Sequence, residues 1–184
     1  MARQNIGTRD VASAIVNMRP QLRANVVVGG VFQLVCHDRY GNLKWYDTAK
    51  NLVTNAGLQH MGNVAFRASS QTATWYVGLM DDTPVVTAAS TLAAPGGFTE
   101  FTEYADNRKE WVEVQSSNSW VNSGTSADFV INGAGGGVGG AFICAAATGT
   151  AAILFCGAAL TGGNRVVATA DTVAVTYTVA LADA

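Results

Sequence analysis

Apolar and small polar residues alternate strictly over residues 172–181. Val173, Val175, Tyr177, Val179 and Leu181 fall on one side, and Thr172, Ala174, Thr176, Thr178 and Ala180 on the other. A period of two marks a strand with one face in a core. The small opposite face lets another layer approach closely, and an uncharged strand edge invites pairing unless something covers it. Residues 26–37 repeat the pattern: Phe32, Leu34 and Cys36 alternate with Val31, Gln33, Val35 and His37, and Gly29-Gly30 leaves room for a bulge. Asp38-Arg-Tyr-Gly-Asn42 supplies turn residues, with Gly41 free to take positive φ, and residues 43–48 return as a second strand. This is a predicted hairpin.

Shorter strand-like runs lie at residues 74–80, 110–116, 129–132, 141–146, 151–156 and 165–169, with Val112 and Val114 sharing one face of the second run. The period changes over residues 51–67. Thr54 caps a predicted helix on which Leu58, Met61 and Ala65 share a face. Gly57 and Gly62 weaken it, each by about 1 kcal/mol relative to Ala. Residues 81–106 contain Pro84, Pro95, Gly96 and Gly97 and read as a loop, with a helical turn near 90–93. Near the start, Thr8 caps a short helix with Val11, Ala14, Ile15 and Met18 on one side, ended by Pro20. A helix of about three turns is marginal alone in water, so this one must dock, on its own domain or on a neighbour. The predicted fold is all-β: an antiparallel β-sandwich or related barrel of about eight to nine strands, with one short helix within it and an N-terminal helical arm. Residues 1–25 are the arm and 26–184 the β-sandwich domain. No repeat period emerges, which argues against a propeller or solenoid.

Charge sharpens this picture. Charged residues make up 13% of the 184, about half of ordinary usage. From residue 129 onward the only formal charges are Arg165, Asp171 and Asp183. So much small, uncharged strand surface must be covered by the fold itself or by a neighbour, which points to an assembly. The net charge of −2 gives no general attraction to nucleic acid or anionic lipid. Residues 139–160 are long enough to span a bilayer, but Thr148-Gly149-Thr150 splits them and no Trp or Tyr flanks them closely. Two strands of a hairpin fit better than one membrane helix, and no membrane partner is expected. Such a hairpin would bring Cys144 and Cys156 near each other. With Cys36 they make three cysteines without C-x-x-C spacing, which reads as buried free thiols in a reducing cytoplasm. Residues 1–7 lack the apolar segment of a secretory signal. Arg3, Arg9, Arg19 and Arg23 stand against one acid, Asp10, in the first 25 residues. This balance is like that of a mitochondrial presequence. The same arginines are candidates for pairing with acidic groups on a partner.

The chain carries no strong catalytic motif. Gly135, Gly137 and Gly140 fit G-x-G-x-x-G, but no acid lies between Asp128 and Asp171 and no continuous helix is expected after the glycines. A dinucleotide site needs both, so a loop or chain crossing is the better reading. No P-loop and no G-x-S-x-G elbow is present. His37 and His60 lack neighbours with zinc-ligand spacing. Asp81-Asp82 and Glu100, Glu103 and Asp106 read as solvated loop charges. Hence no cofactor, no metal and no enzymatic activity are expected. Trp45, Tyr46, Trp75, Tyr76, Trp111 and Trp120 are core or interface anchors, or a carbohydrate platform. Trp75 reads as core. Trp120 lies in a polar, loop-like stretch, 116–126, stays open between core and contact, and is a candidate partner-binding residue.

Four stretches occur in a telling order: Gly41-Asn-Leu-Lys-Trp-Tyr-Asp47, Asn51-Leu-Val-Thr-Asn-Ala-Gly-Leu58, Thr74-Trp-Tyr-Val-Gly-Leu79 followed by Asp81-Asp-Thr-Pro84, and Asp171-Thr-Val-Ala-Val-Thr-Tyr-Thr178. As a set they resemble a group of small structural proteins of tailed bacteriophages, over residues 32–181. The resemblance implies a virion component, made in the host cytoplasm, with no catalytic residues to carry over. It implies as partner a major capsid protein or another virion protein, with self-association in a symmetric assembly. The leading expectation is a capsid decoration or cement protein, with a neck or tail component and a carbohydrate-binding module as the alternatives.

Overall fold

The computed structural model describes residues 26–183, so the predicted helix in the arm and Arg3, Arg9, Arg19 and Arg23 lie outside the described residues. The described chain forms two antiparallel sheets and one helix. The first sheet begins with β1 (Val26–His37) and β2 (Leu43–Lys50), the predicted hairpin. Its turn is held by Asp38, whose Oδ1 accepts the N–H groups of Tyr40 at 2.8 Å and Asn42 at 2.9 Å, while Gly41 takes φ 83°. On its other side β1 pairs with β13 (Thr172–Asp183) without a register shift, from Val26 opposite Asp183 to His37 opposite Thr172. The far edge of β13 is shared: β9 (Ala127–Val130) pairs along residues 172–175, and β8 (Ser119–Val121), itself joined to β7 (Val114–Ser116), along 178–180.

Asn122 bridges the interval between those two partners. Its amide donates to the Val175 carbonyl at 3.1 Å, and its Oδ1 accepts the Tyr177 N–H at 2.7 Å. A side chain thus completes the ladder where no strand does, as buried backbone groups require. Asn122 is itself buried.

The second sheet is β3 (Leu52–Val53), β11 (Leu154–Ala159), β10 (Gly136–Cys144), β4 (Tyr76–Asp81) and β5 (Glu100–Phe101). Two short strands, β6 (Lys109–Glu110) on β4 and β12 (Arg165–Val167) on β10, complete it. One hydrophobic cluster draws on both sheets: Phe32, Leu34, Val173, Val175 and Tyr177 from the first, Val77, Leu79, Ala141, Ile143 and Cys156 from the second. Phe32 stacks on its register partner Tyr177 at 4.3 Å between ring centroids.

Several expectations are corrected. The thirteen strands of the described residues outnumber the predicted eight to nine because six of them have only two or three residues, too short to show a period. Gly29-Gly30 forms no bulge with β13, and the irregularity of β1 falls at Cys36/His37 against β2. Gly30 instead makes room for Tyr177: a Cβ there would lie 2.7 Å from the phenolic oxygen. The glycine run is a loop only over residues 133–135, and residues 136–140 belong to β10. A Cβ at Gly140 would lie 2.2 Å from the Ala158 carbonyl oxygen, so the neighbouring chain passes too close for a side chain. Residues 110–116 are two strands, not one. Trp111 takes the inward position and Val112 and Val114 are exposed, because the larger ring fills the core and its indole donates to the Tyr177 carbonyl at 3.1 Å. Glu100 is not a solvated loop charge. It forms two hydrogen bonds with buried Arg108, at 2.7 and 2.6 Å.

The helix α1 (Asn55–Phe66) starts where expected, with Thr54 Oγ1 accepting the Gly57 N–H at 3.1 Å. Its packing face differs. Gly57 is its one buried residue, while Leu58 is 47% exposed and Ala65 is also exposed. A Cβ at Gly57 would meet the Phe155 carbonyl oxygen at 2.5 Å, so the helix backbone lies directly on β11. The glycine that weakens the helix is what seats it.

The two sheets differ on their outward faces. On the second, residues 82–99 fold back and place Leu92, Val86 and Phe98 against Met80, Phe142, Cys144 and Leu154, forming a separate small core. On the first, no described segment does this. Its outward positions include Val31, Gln33 and Val35 on β1, Tyr46 and Thr48 on β2, and Ala174, Thr176 and Thr178 on β13, none of them buried.

Candidate functional site

The outward face of the first sheet is built by its register. Thr178 lies between Val31 and Val121, Thr176 beside Gln33, and Ala174 between Val35 and Asp128. The rows extend to Lys50, Thr48 and Tyr46 on β2. Lys50 and Asp128 carry the formal charges of these rows, and both sit on flanking strands. The centre offers methyl and hydroxyl groups on a regular pleat. That chemistry suits packing against another flat surface and supplies no acid, base or nucleophile.

A second feature is a groove of about 450 Å³ at the end of the first sheet. Its floor is Val28 of β1, Val179 and Leu181 of β13, and Trp111. One wall is α1, through Met61 and Val64; others are Trp75 and Trp120. Trp120, the candidate partner-binding residue, is half-buried in β8 opposite Val179, and the loop-like stretch around it includes the strand 119–121. Trp75 is also half-buried, packed edge-on to His60 at 5.6 Å and against Phe155 at 5.3 Å. His60 Nε2 and Thr72 Oγ1 are 3.2 Å apart. Glu110 and Glu113 form the exposed rim.

The six aromatics of the sequence do not make one platform. Trp75, Trp111 and Trp120 meet at the groove. Trp45 packs on the main core and donates to the Val166 carbonyl at 3.1 Å, Tyr46 lies on the outward sheet face, and Tyr76 packs on the small second core. Sequence reasoning missed the groove because its parts come from distant segments. The one local trace is Glu110-Trp-Val-Glu113, an aromatic between acids.

The buried polar groups serve structure. Asn51 links strands: its Oδ1 accepts the Gly30 N–H at 2.6 Å and its amide donates to the Tyr177 hydroxyl at 2.8 Å. The Cys156 thiol donates to the same hydroxyl at 3.2 Å. Burial pushes that thiol up to about 12. Burial, with help from the Asp171 carboxylate, pushes Cys36 up to about 11. Thiols so shifted stay protonated and are poor nucleophiles. Cys144 and Cys156 do not face each other: Cys156 opposes Ile143 and points to the shared core, while Cys144 belongs to the small one. Asp47 ties β2 to the second sheet. Arg165 donates to its Oδ2 at 2.8 and 3.0 Å, and the Gly162 N–H donates to the same oxygen at 3.0 Å. Burial would raise its pKa, but these bonds and the Thr48 N–H outweigh burial and hold it below the usual carboxylate value. Among the described residues, no three His, Cys, Asp or Glu side chains converge to hold a metal ion, and no helix is long and apolar enough to cross a membrane. Comparison of the chain with protein-family models, with curated proteins and with solved structures found no match.

Proposed function

We propose that this protein is a structural component of a bacteriophage virion, a decoration or cement protein of the capsid. The observation that carries the reading is the bare outward face of the first sheet beside the covered outward face of the second. Strands of 12 residues and a width of about five strands give a face on the order of 800 Å². That is the size each partner contributes to a standard stable interface. In this reading the two sheets and their shared core form a β-sandwich, and the bare sheet lies over junctions between major capsid protein subunits. Repetition over a symmetric shell turns modest single contacts into firm attachment. The role is structural and needs no cofactor. The virion setting rests on the sequence resemblance to phage structural proteins.

Separated heads and tails of disrupted particles test this directly. Recovery with heads is the expected result, and recovery only with necks or tails would move the protein to those structures. The tryptophans of the groove keep a carbohydrate-binding module in view as a second reading. Saturable binding on a glycan array, lost in Trp120→Ala, would replace the structural reading.

A further inference from the structure

The groove opens beside the first described residues of the chain. Val28 forms part of its floor, and Val26, two residues earlier, is 73% exposed. Residues 20–25 separate Val26 from the predicted amphipathic helix of residues 8–19. Six residues reach up to about 20 Å, and the helix of residues 8–19 is about 18 Å long, so the helix can lie along the groove without crossing the molecule. Its apolar stripe, Val11, Ala14, Ile15 and Met18, matches a floor and walls of Val, Met and Trp side chains. Charge agrees as well. The rim carries Glu110 and Glu113, and no described Lys or Arg lines the groove. Neither glutamate forms an ion pair with a described residue. On a helical wheel Arg19 falls at roughly 90° from the centre of the stripe, where a rim contact would form.

We infer that the groove is the seat of residues 8–19 of the same chain, with the Val11–Ile15–Met18 stripe on Trp111, Trp75 and Trp120 and Arg19 beside Glu110 and Glu113. A marginal helix gains its stability from such packing. Docking within one chain is favoured because the short connection keeps the effective concentration high. This inference does not depend on the virion reading.

The test uses the full chain with Ile15→Asp, and with Ser13→Asp on the opposite side of the helix as control. Three of the four tryptophans line the groove, so intrinsic fluorescence reports on it. Ile15→Asp is expected to shift emission to longer wavelength, increase acrylamide quenching and lower Tm by about 2–4 °C, the shift that 1 kcal/mol makes in a chain of this size. Ser13→Asp is expected to change none of these. Unchanged fluorescence in Ile15→Asp overturns the inference, whether or not Tm falls, because the arm would then sit elsewhere. An effect that grows with protein concentration also overturns it, since the groove would then hold the arm of another copy.

Discussion

The two sheets use the same strand chemistry and meet their surroundings differently. The outward face of the second sheet carries Met80, Phe142, Cys144 and Leu154, and residues 82–99 bury it with Leu92, Val86 and Phe98. The centre of the outward face of the first carries Ala, Thr, Val and Gln, with Tyr46, Lys50 and Asp128 on the flanking strands, and no described residue buries it. Large apolar groups left in water would cost about 1.5–3 kcal/mol each, so the second face needs its own cover. Methyl and hydroxyl groups cost far less when exposed. A face of that composition tolerates water and still packs closely when a partner arrives. The contrast teaches that low charge alone does not identify a contact surface; side-chain size separates self-covered from available.

Substitutions can break this contrast at either end. Phe142→Ala should have the largest effect. It removes the centre of the small core, including the ring under the Arg108 guanidinium 5.4 Å away. A loss of about 3–5 kcal/mol is expected in chemical denaturation. A loss below about 1 kcal/mol would mean that residues 82–99 do not seal the second sheet.

Asn122→Ala comes next and tests the first sheet's integrity rather than its surface. It orphans the Val175 carbonyl and the Tyr177 N–H, each at about 1–2 kcal/mol in the lower part of the usual range, for a total of about 2–4 kcal/mol. Hydrogen exchange should locate the loosening at β13, with the Tyr177 amide losing protection first.

Acid should weaken the tie between the two sheets. The Asp47 carboxyl has a lower pKa folded than unfolded, so its contribution is fully present above the ordinary carboxylate value near 3.8. It is lost as pH falls through the lower folded value. Stability measured against denaturant should therefore decline below about pH 4, and Asp47→Asn should flatten that limb of the profile. An unchanged acid limb in the variant would remove Asp47 from the account.

The smallest stability effect is expected at Thr176→Lys, in the middle of the bare face. Folding should change by less than about 0.5 kcal/mol, as for other surface substitutions. In the proposed capsid role, particle association should nevertheless fall sharply, because a buried unpaired charge is costly at an interface. Full occupancy by Thr176→Lys would leave the other faces as the attachment surface.

The elements that could be read in advance are those whose cause is local. The Asp38–Asn42 turn with Gly41, the alternation of β13 and the Thr54 cap each depend on neighbours a few residues away. The misreadings share a different origin. Gly57 seats α1 through an absent side chain, so a search for apolar faces selected Leu58, which is exposed. Trp111 displaced Val112 and Val114 because its indole finds the Tyr177 carbonyl, 66 residues away. Asn122 sits in a polar stretch typical of a loop, yet it is buried and stands in for a strand. The groove was invisible because its three tryptophans converge only after both sheets form. Trp120 stands in a polar stretch that reads as a loop, yet it is half-buried in β8.

The pairing of β1 with β13 also sets a schedule. Val26 faces Asp183, so β1 emerges from the ribosome long before its partner exists. At 5–20 residues per second the wait is about 7–30 s. During that interval β1 exposes Phe32, Leu34 and Cys36 along with one unpaired edge. The tight turn at Asp38 lets β2 close the other edge at once, on the microsecond scale of hairpins. Nascent chains are therefore most vulnerable to aggregation before β13 is made, and the flat outward face of the first sheet is among the last surfaces to be finished.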